Sequence, residues 1–122
     1  MLGPAAEAVV RPPGAEMVRE DLEREFANRI VPYEGGLCLF AVDDALALVH
    51  RAAAVSIPIL GIDGIDLRPG RTTSPLEHIA DYSDAVAAGD GCWLEAEAFI
   101  RARRDLGLVF EVILGDHNDA SA

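Results

Sequence analysis

Residues 56–70, SIPILGIDGIDLRPG, crowd isoleucine and leucine into one short span and interrupt them with Asp63, Gly64 and Asp66. Asp-Gly is the strongest short signal for a two-residue hairpin turn. A turn at Asp63-Gly64 pairs Ile62 with Ile65 and sets Gly61 opposite Asp66. Strand alternation then gathers Leu60, Ile62, Ile65 and Leu67 on one face, with Ile59, Gly61, Asp66 and Arg68 on the other. The expectation is a half-buried hairpin in which Asp63 belongs to the turn and Asp66 faces solvent or Arg68.

The segments around this run alternate between helical and strand periods. Residues 1–14 hold three prolines and two glycines without a period, which predicts a flexible lead. Val18, Leu22 and Phe26 recur at helical spacing and predict a helix from Ala15 to about Asn28. Pro32 and Gly35-Gly36 break the chain before LCLFAV, which reads as a strand over Leu37–Val42. Asp43 and Asp44 suit a helix N-terminus, and Leu46, Val49 and Ala53 form the stripe of a helix reaching about Val55.

Further along, Ser74, Pro75 and Glu77 have the spacing of a capping box. They predict a helix whose inward stripe is Leu76, Ile79 and Ala80. DAVAAGDG follows as a connection. Asp90 caps a helix over Gly91–Asp105, with Trp93, Ala96, Phe99 and Ile100 buried and Gly107 as its stop. Leu108–Leu114 alternates strictly, so Leu108, Phe110, Val112 and Leu114 share one face while Glu111 lies between Val109 and Ile113 on the other.

Together these segments describe an α+β fold, a single domain over 15–114 with a mixed sheet of about four strands and helices packed on it. Residues 115–122 are expected to form a flexible tail. Strand 37–42, helix 43–55 and strand 57–62 suggest a right-handed βαβ unit. No glycine-rich phosphate loop follows its first strand; Asp43 and Asp44 stand there and would repel a phosphate.

Charge narrows the function. The chain of 122 residues carries a formal net charge of −11 and a pI near 4.5. A nucleic-acid ligand is excluded on this reading, because gripping phosphates needs a positive surface. An acidic field favours a basic protein partner. No apolar run is long enough to span a bilayer and the N-terminus lacks a secretory pattern, so the expected location is the cytoplasm. Cys38 lies in an apolar run and Cys92 opens a helix, and both are expected to be reduced and packed.

No nucleophile elbow, C-x-x-C pair or H-E-x-x-H helix occurs, and His50, His78 and His117 stand beside no convincing nucleophile. No catalytic residue and no cofactor is therefore assigned. Glu77, His78 and Asp81 match no established ligand spacing, so no metal is assigned either. The candidate partner-binding residues are Asp63, Asp66, Asp81, Glu95 and Glu111 as an acidic surface, with Trp93 as either core or a partly exposed anchor. Glu111 stands out among them, since an acid between strand apolars is either wet at an edge or deliberately held.

From about Tyr33 to Leu114 the order IPILGIDGIDL, TSPLEHIADYS, CWLEAEAFI, FEVIL resembles small immunity proteins of bacterial polymorphic-toxin systems. That resemblance implies a cytoplasmic, non-catalytic protein that neutralises a cognate toxin by stoichiometric binding. Two other classes stay open: a small-molecule binding or self-resistance protein of a biosynthetic cluster, and a small enzyme whose residues converge only in the fold.

Overall fold

The computed structural model describes residues 17–32, 35–68 and 78–116. The fold is α+β: helices α1 (Arg19–Glu25), α2 (Val42–Ala54), α3 (Ser83–Ala87) and α4 (Trp93–Ala102) accompany strands β1 (Ile59–Ile65), β2 (Ile79–Asp81) and β3 (Val109–Leu114). The sheet order is β2-β1-β3. Both pairings are antiparallel, so the sheet is not the mixed one that a βαβ unit would build.

The helical stripes form the core largely as their spacing dictates. Leu22 and Phe26 are buried, while Val18, expected on the same stripe, precedes α1 and stays exposed. Helix α2 buries Ala45, Leu46, Leu48, Val49 and Ala52. Helix α4 buries Ala96 and Ile100, and Trp93 and Phe99 pack against the same cluster. Gly107 ends the final turn at φ 75°, a left-handed conformation that glycine adopts without Cβ strain.

The expected strand at Leu37–Val42 shrinks to a single bridge. Phe40 exchanges two hydrogen bonds of 2.8 Å with Phe110 of β3, and the Leu39 carbonyl instead accepts from Val31 at 2.7 Å. Two residues later α2 has begun, with Asp43 and Asp44 in its first turn, where acids complement the helix dipole. The bridge is antiparallel, which removes the βαβ unit.

The Asp63-Gly64 turn is overturned more completely. Both residues lie inside β1, which is central and pairs on both sides: Asp63 faces Ile79 on β2 and Glu111 on β3, and Gly64 faces Phe110. A glycine within a strand marks a close approach, and two occur here. A Cβ at Gly61 would stand 2.7 Å from the Ala80 carbonyl oxygen, and one at Gly64 would stand 3.0 Å from Leu108 Cδ1. Gly64 serves packing, not a turn.

A register shift between Ile59 and Gly61 also changes the expected sidedness. Such a bulge places Ile59 and Ile62, three positions apart, on the same face. Both are fully buried, along with Phe110 and the other core-facing residues of β3. Gly61, Asp63, Glu111 and Ile113 share the opposite face, with Ile79 and Asp81 from β2.

Ile79 and Ala80, expected on a helix, are strand residues. DAVAAGDG, expected as a connection, begins inside the short helix α3. The Ser74-Pro75-Glu77 capping box, His117 and residues 1–14 lie outside the described residues. Gly115 and Asp116 are described, and the buried Gly115 donates its N–H to the Pro58 carbonyl at 2.9 Å. Among the described residues no helix is long and apolar enough to cross a membrane.

Candidate functional site

The outer face of the sheet is built from two cross-strand rows. One runs Ile79, Asp63, Glu111; the other runs Asp81, Gly61, Ile113. Gly61 offers no side chain in the middle of its row. A shallow groove of about 300 Å³ therefore opens there, with Asp63, Ile79, Asp81 and Ile113 in its walls. Ile79 and Ile113 are 38% and 39% exposed, high for isoleucine in a sheet.

The carboxylates on this face are not equivalent. Burial first, and the opposing Asp63 second, push the Glu111 carboxyl above its ordinary range. Asp81 goes the other way: its Oδ1 accepts from the Ser83 hydroxyl at 2.6 Å and the Ser83 N–H at 2.9 Å, which lowers its pKa. This Asx-type turn also starts α3. Glu111 is thus the carboxylate whose charge the fold disfavours.

Asp63, Asp81 and Glu111 come together, but the other three candidates stand elsewhere. Asp66 is held by Arg68, whose Nη2 donates to Oδ2 at 2.6 Å and whose Nε donates to Oδ1 at 2.9 Å. Trp93 is a lock in the fold: its Nε1–H donates to the Ile57 carbonyl at 2.7 Å, and its ring lies against Gly91 so closely that no Cβ fits there. Glu95 is exposed in the first turn of α4, and its carbonyl accepts from the Tyr82 hydroxyl at 3.3 Å. The exposed Ile79 and Ile113 and the gap at Gly61 were missed by sequence reasoning. Only the alternation of Leu108–Leu114, which separated Ile113 from the core face, hinted at them.

The two cysteines diverge. Cys92 is buried as expected, and desolvation followed by Asp90 and Glu95 raises its thiol to about 11. Cys38 is exposed, contrary to its place in an apolar run, because that run is not a strand in the sheet. Asp90, Cys92 and Glu95 have donor atoms within 4.8 Å of one another, the spacing a metal ion needs. Yet the Cys92 N–H already occupies Asp90 Oδ1 at 2.8 Å, and the thiol holds its proton at neutral pH.

Two histidines are engaged in side-chain pairs. His50 Nε2 lies 3.3 Å from Glu97, which also accepts from Arg101 at 2.8 Å. Arg101 and then His50 hold the Glu97 carboxyl below its ordinary range. His78 Nδ1 accepts from Arg103 Nε at 3.2 Å. No protein-family model matches the chain, and no significant match was found among curated proteins or solved structures.

Proposed function

We propose that the protein works by stoichiometric binding, using the outer face of its sheet to hold a basic protein partner in the manner of an immunity protein neutralising a toxin. The observation that carries this reading is the pair Asp63 and Glu111, set opposite each other and flanked by exposed Ile79 and Ile113. Isoleucine side chains supply apolar area to an interface, while clustered carboxylates supply a field that selects cations. A partner's arginine or lysine placed between Asp63 and Glu111 relieves the repulsion that the unbound face carries. The net charge of −11 works over longer range, steering a basic partner inward and turning nucleic acid away. Binding of this kind needs no cofactor and no catalytic group, and its place of action is the cytoplasm.

Surface-plasmon kinetics on the partner recovered from the source cell test the reading. The association rate is expected to fall steeply with added salt while dissociation changes less. Asp63→Arg with Glu111→Arg is expected to slow association further in a chain that still folds. An association rate indifferent to both changes, or a turnover measured with no protein partner, overturns it.

A further inference from the structure

A second recess lies at the β3 edge, between α1 and the chain at 37–40, and reaches the sheet's outer face at Glu111 and Ile113. Its inner part is a cavity of about 160 Å³ walled by Phe26, Ile30, Phe40, Leu48, Val112 and Leu114, with Glu23 and Cys38 at its rim. A largely apolar space of about this size has room for a benzene-sized guest, which gains dispersion contacts with the walls. The Phe26 and Phe40 rings meet edge to face, with centroids 6.4 Å apart. That packing leaves a space between side chains and β3 suited to a ring or a short aliphatic chain.

The cavity continues into a wider recess of about 280 Å³ along the β3 edge. The two share Glu23, Cys38, Val112 and Leu114 in their walls, and the wider one adds Arg19 and Glu111. Arg19 is already surrounded by carboxylates: Glu20 at 3.2 Å, Glu23 at 3.8 Å and Asp116 at 3.9 Å. An anionic head group would compete with all three for that guanidinium. A cationic one meets Glu23 and Glu111, and the balance of charge in the recess is negative.

We infer that this recess binds a small amphipathic amine, its apolar body in the inner cavity and its ammonium between Glu23 and Glu111. The body is limited to one six-membered ring or a chain of about six carbons. Charge decides the head group, and shape decides the tail. The site shares Glu111 and Ile113 with the partner surface proposed above, while its inner cavity and Glu23 belong to it alone.

Benzylamine is a suitable probe, with benzyl alcohol and benzoate of the same ring size as comparators, added to the full chain and followed by methyl NMR. The expected result is saturable shifts of the Leu48, Val112 and Leu114 methyls, with benzylamine several-fold tighter than benzyl alcohol and benzoate weakest. Glu23→Gln is expected to bring benzylamine close to the affinity of the alcohol and leave the alcohol unchanged. Bound benzylamine should also slow alkylation of Cys38 several-fold. Leu48→Phe fills the cavity and should abolish all three; should that variant fail to fold, the Glu23→Gln comparison still decides. Benzoate binding as tightly as benzylamine, an amine affinity unmoved by Glu23→Gln, or no methyl shift at millimolar probe overturns the inference. So do the same methyl shifts on concentrating the protein alone, which would mean that a second copy fills the recess.

Discussion

Asp63 and Glu111 are Cα partners across β1 and β3, so two carboxylates face each other in the middle of the sheet's outer side. Like charges directly opposite on antiparallel strands destabilise the pairing. The fold tolerates the pair and raises the pKa of Glu111, through burial first and Asp63 second.

Glu111→Gln should therefore raise the melting temperature at neutral pH. A carboxyl whose folded pKa lies above its unfolded value binds protons more tightly in the native state, so stability falls as pH climbs through that window. The window opens at the ordinary value of 4.5 and runs upward. The advantage of the variant should be largest at neutral pH and vanish as pH drops below 4.5. Its size is under about 1 kcal/mol, because the group is half-exposed and screened. Calorimetric melts of both proteins across this range check it, and a variant less stable at neutral pH contradicts it.

Asp81 and Glu97 have the opposite sign. Both are held below the ordinary carboxylate range, Asp81 by Ser83 and Glu97 by Arg101 and then His50. Each contributes stability above its unfolded pKa and loses it as acid protonates the folded form. Ser83→Ala, which removes the hydroxyl bond to Asp81, should therefore cost most at neutral pH and converge on the wild type as pH falls below 3.8, as read by melts followed by circular dichroism at several pH values.

Gly61→Ala should cost more than Gly64→Ala. The new methyl at Gly61 meets backbone, the Ala80 carbonyl oxygen at 2.7 Å, whereas that at Gly64 first meets the end of the Leu108 side chain at 3.0 Å. Backbone in a paired strand yields less than a side-chain tip, and overpacking of this kind costs about 1–3 kcal/mol. Urea denaturation of both variants ranks them, and equal midpoints would refute the close approach of β1 to β2.

Trp93→Phe should lose about 1–3 kcal/mol, the penalty for stranding the buried Ile57 carbonyl. Gly91→Ala alone should also destabilise, because its methyl would collide with the indole. In the Trp93→Phe background that second cost should shrink, a coupling that a double-mutant cycle detects. The one tryptophan of the chain makes fluorescence a direct readout of the wild-type and Gly91→Ala proteins.

Thiol titration should find one fast cysteine in the native protein and two after denaturation. Cys38 is exposed, while Cys92 is 1% exposed with its thiol raised to about 11. Reactivity follows the accessible thiolate. Cys38→Ser should remove the fast phase; a fast phase that survives it would place Cys92 at the surface.

Where a segment's period matched its final surroundings, the sequence alone was enough. The alternation of Leu108–Leu114 determined which side of β3 enters the core, and it placed Glu111 correctly opposite that side. The spacing of Leu46 and Val49 and of Ala96 and Ile100 determined the buried faces of α2 and α4. In each case a solvent-facing side chain and a core-facing one differ in hydration free energy at every turn or every second residue, and the signal adds along the element.

Tertiary structure decided the rest, including half of the candidate site. Asp63-Gly64 has a strong local turn preference, yet in β1 both of its neighbours in space are strands that satisfy the backbone on two sides. Leu37–Val42 has the composition of a strand, yet the helix that Asp43 and Asp44 favour claims it after one bridge at Phe40. Ile79 was placed on a helix by spacing and stands exposed beside Asp63 by pairing. Local preferences of about 1 kcal/mol per residue give way when hydrogen bonds and apolar contacts distant in sequence favour another conformation, and sequence spacing carries no record of those distant partners.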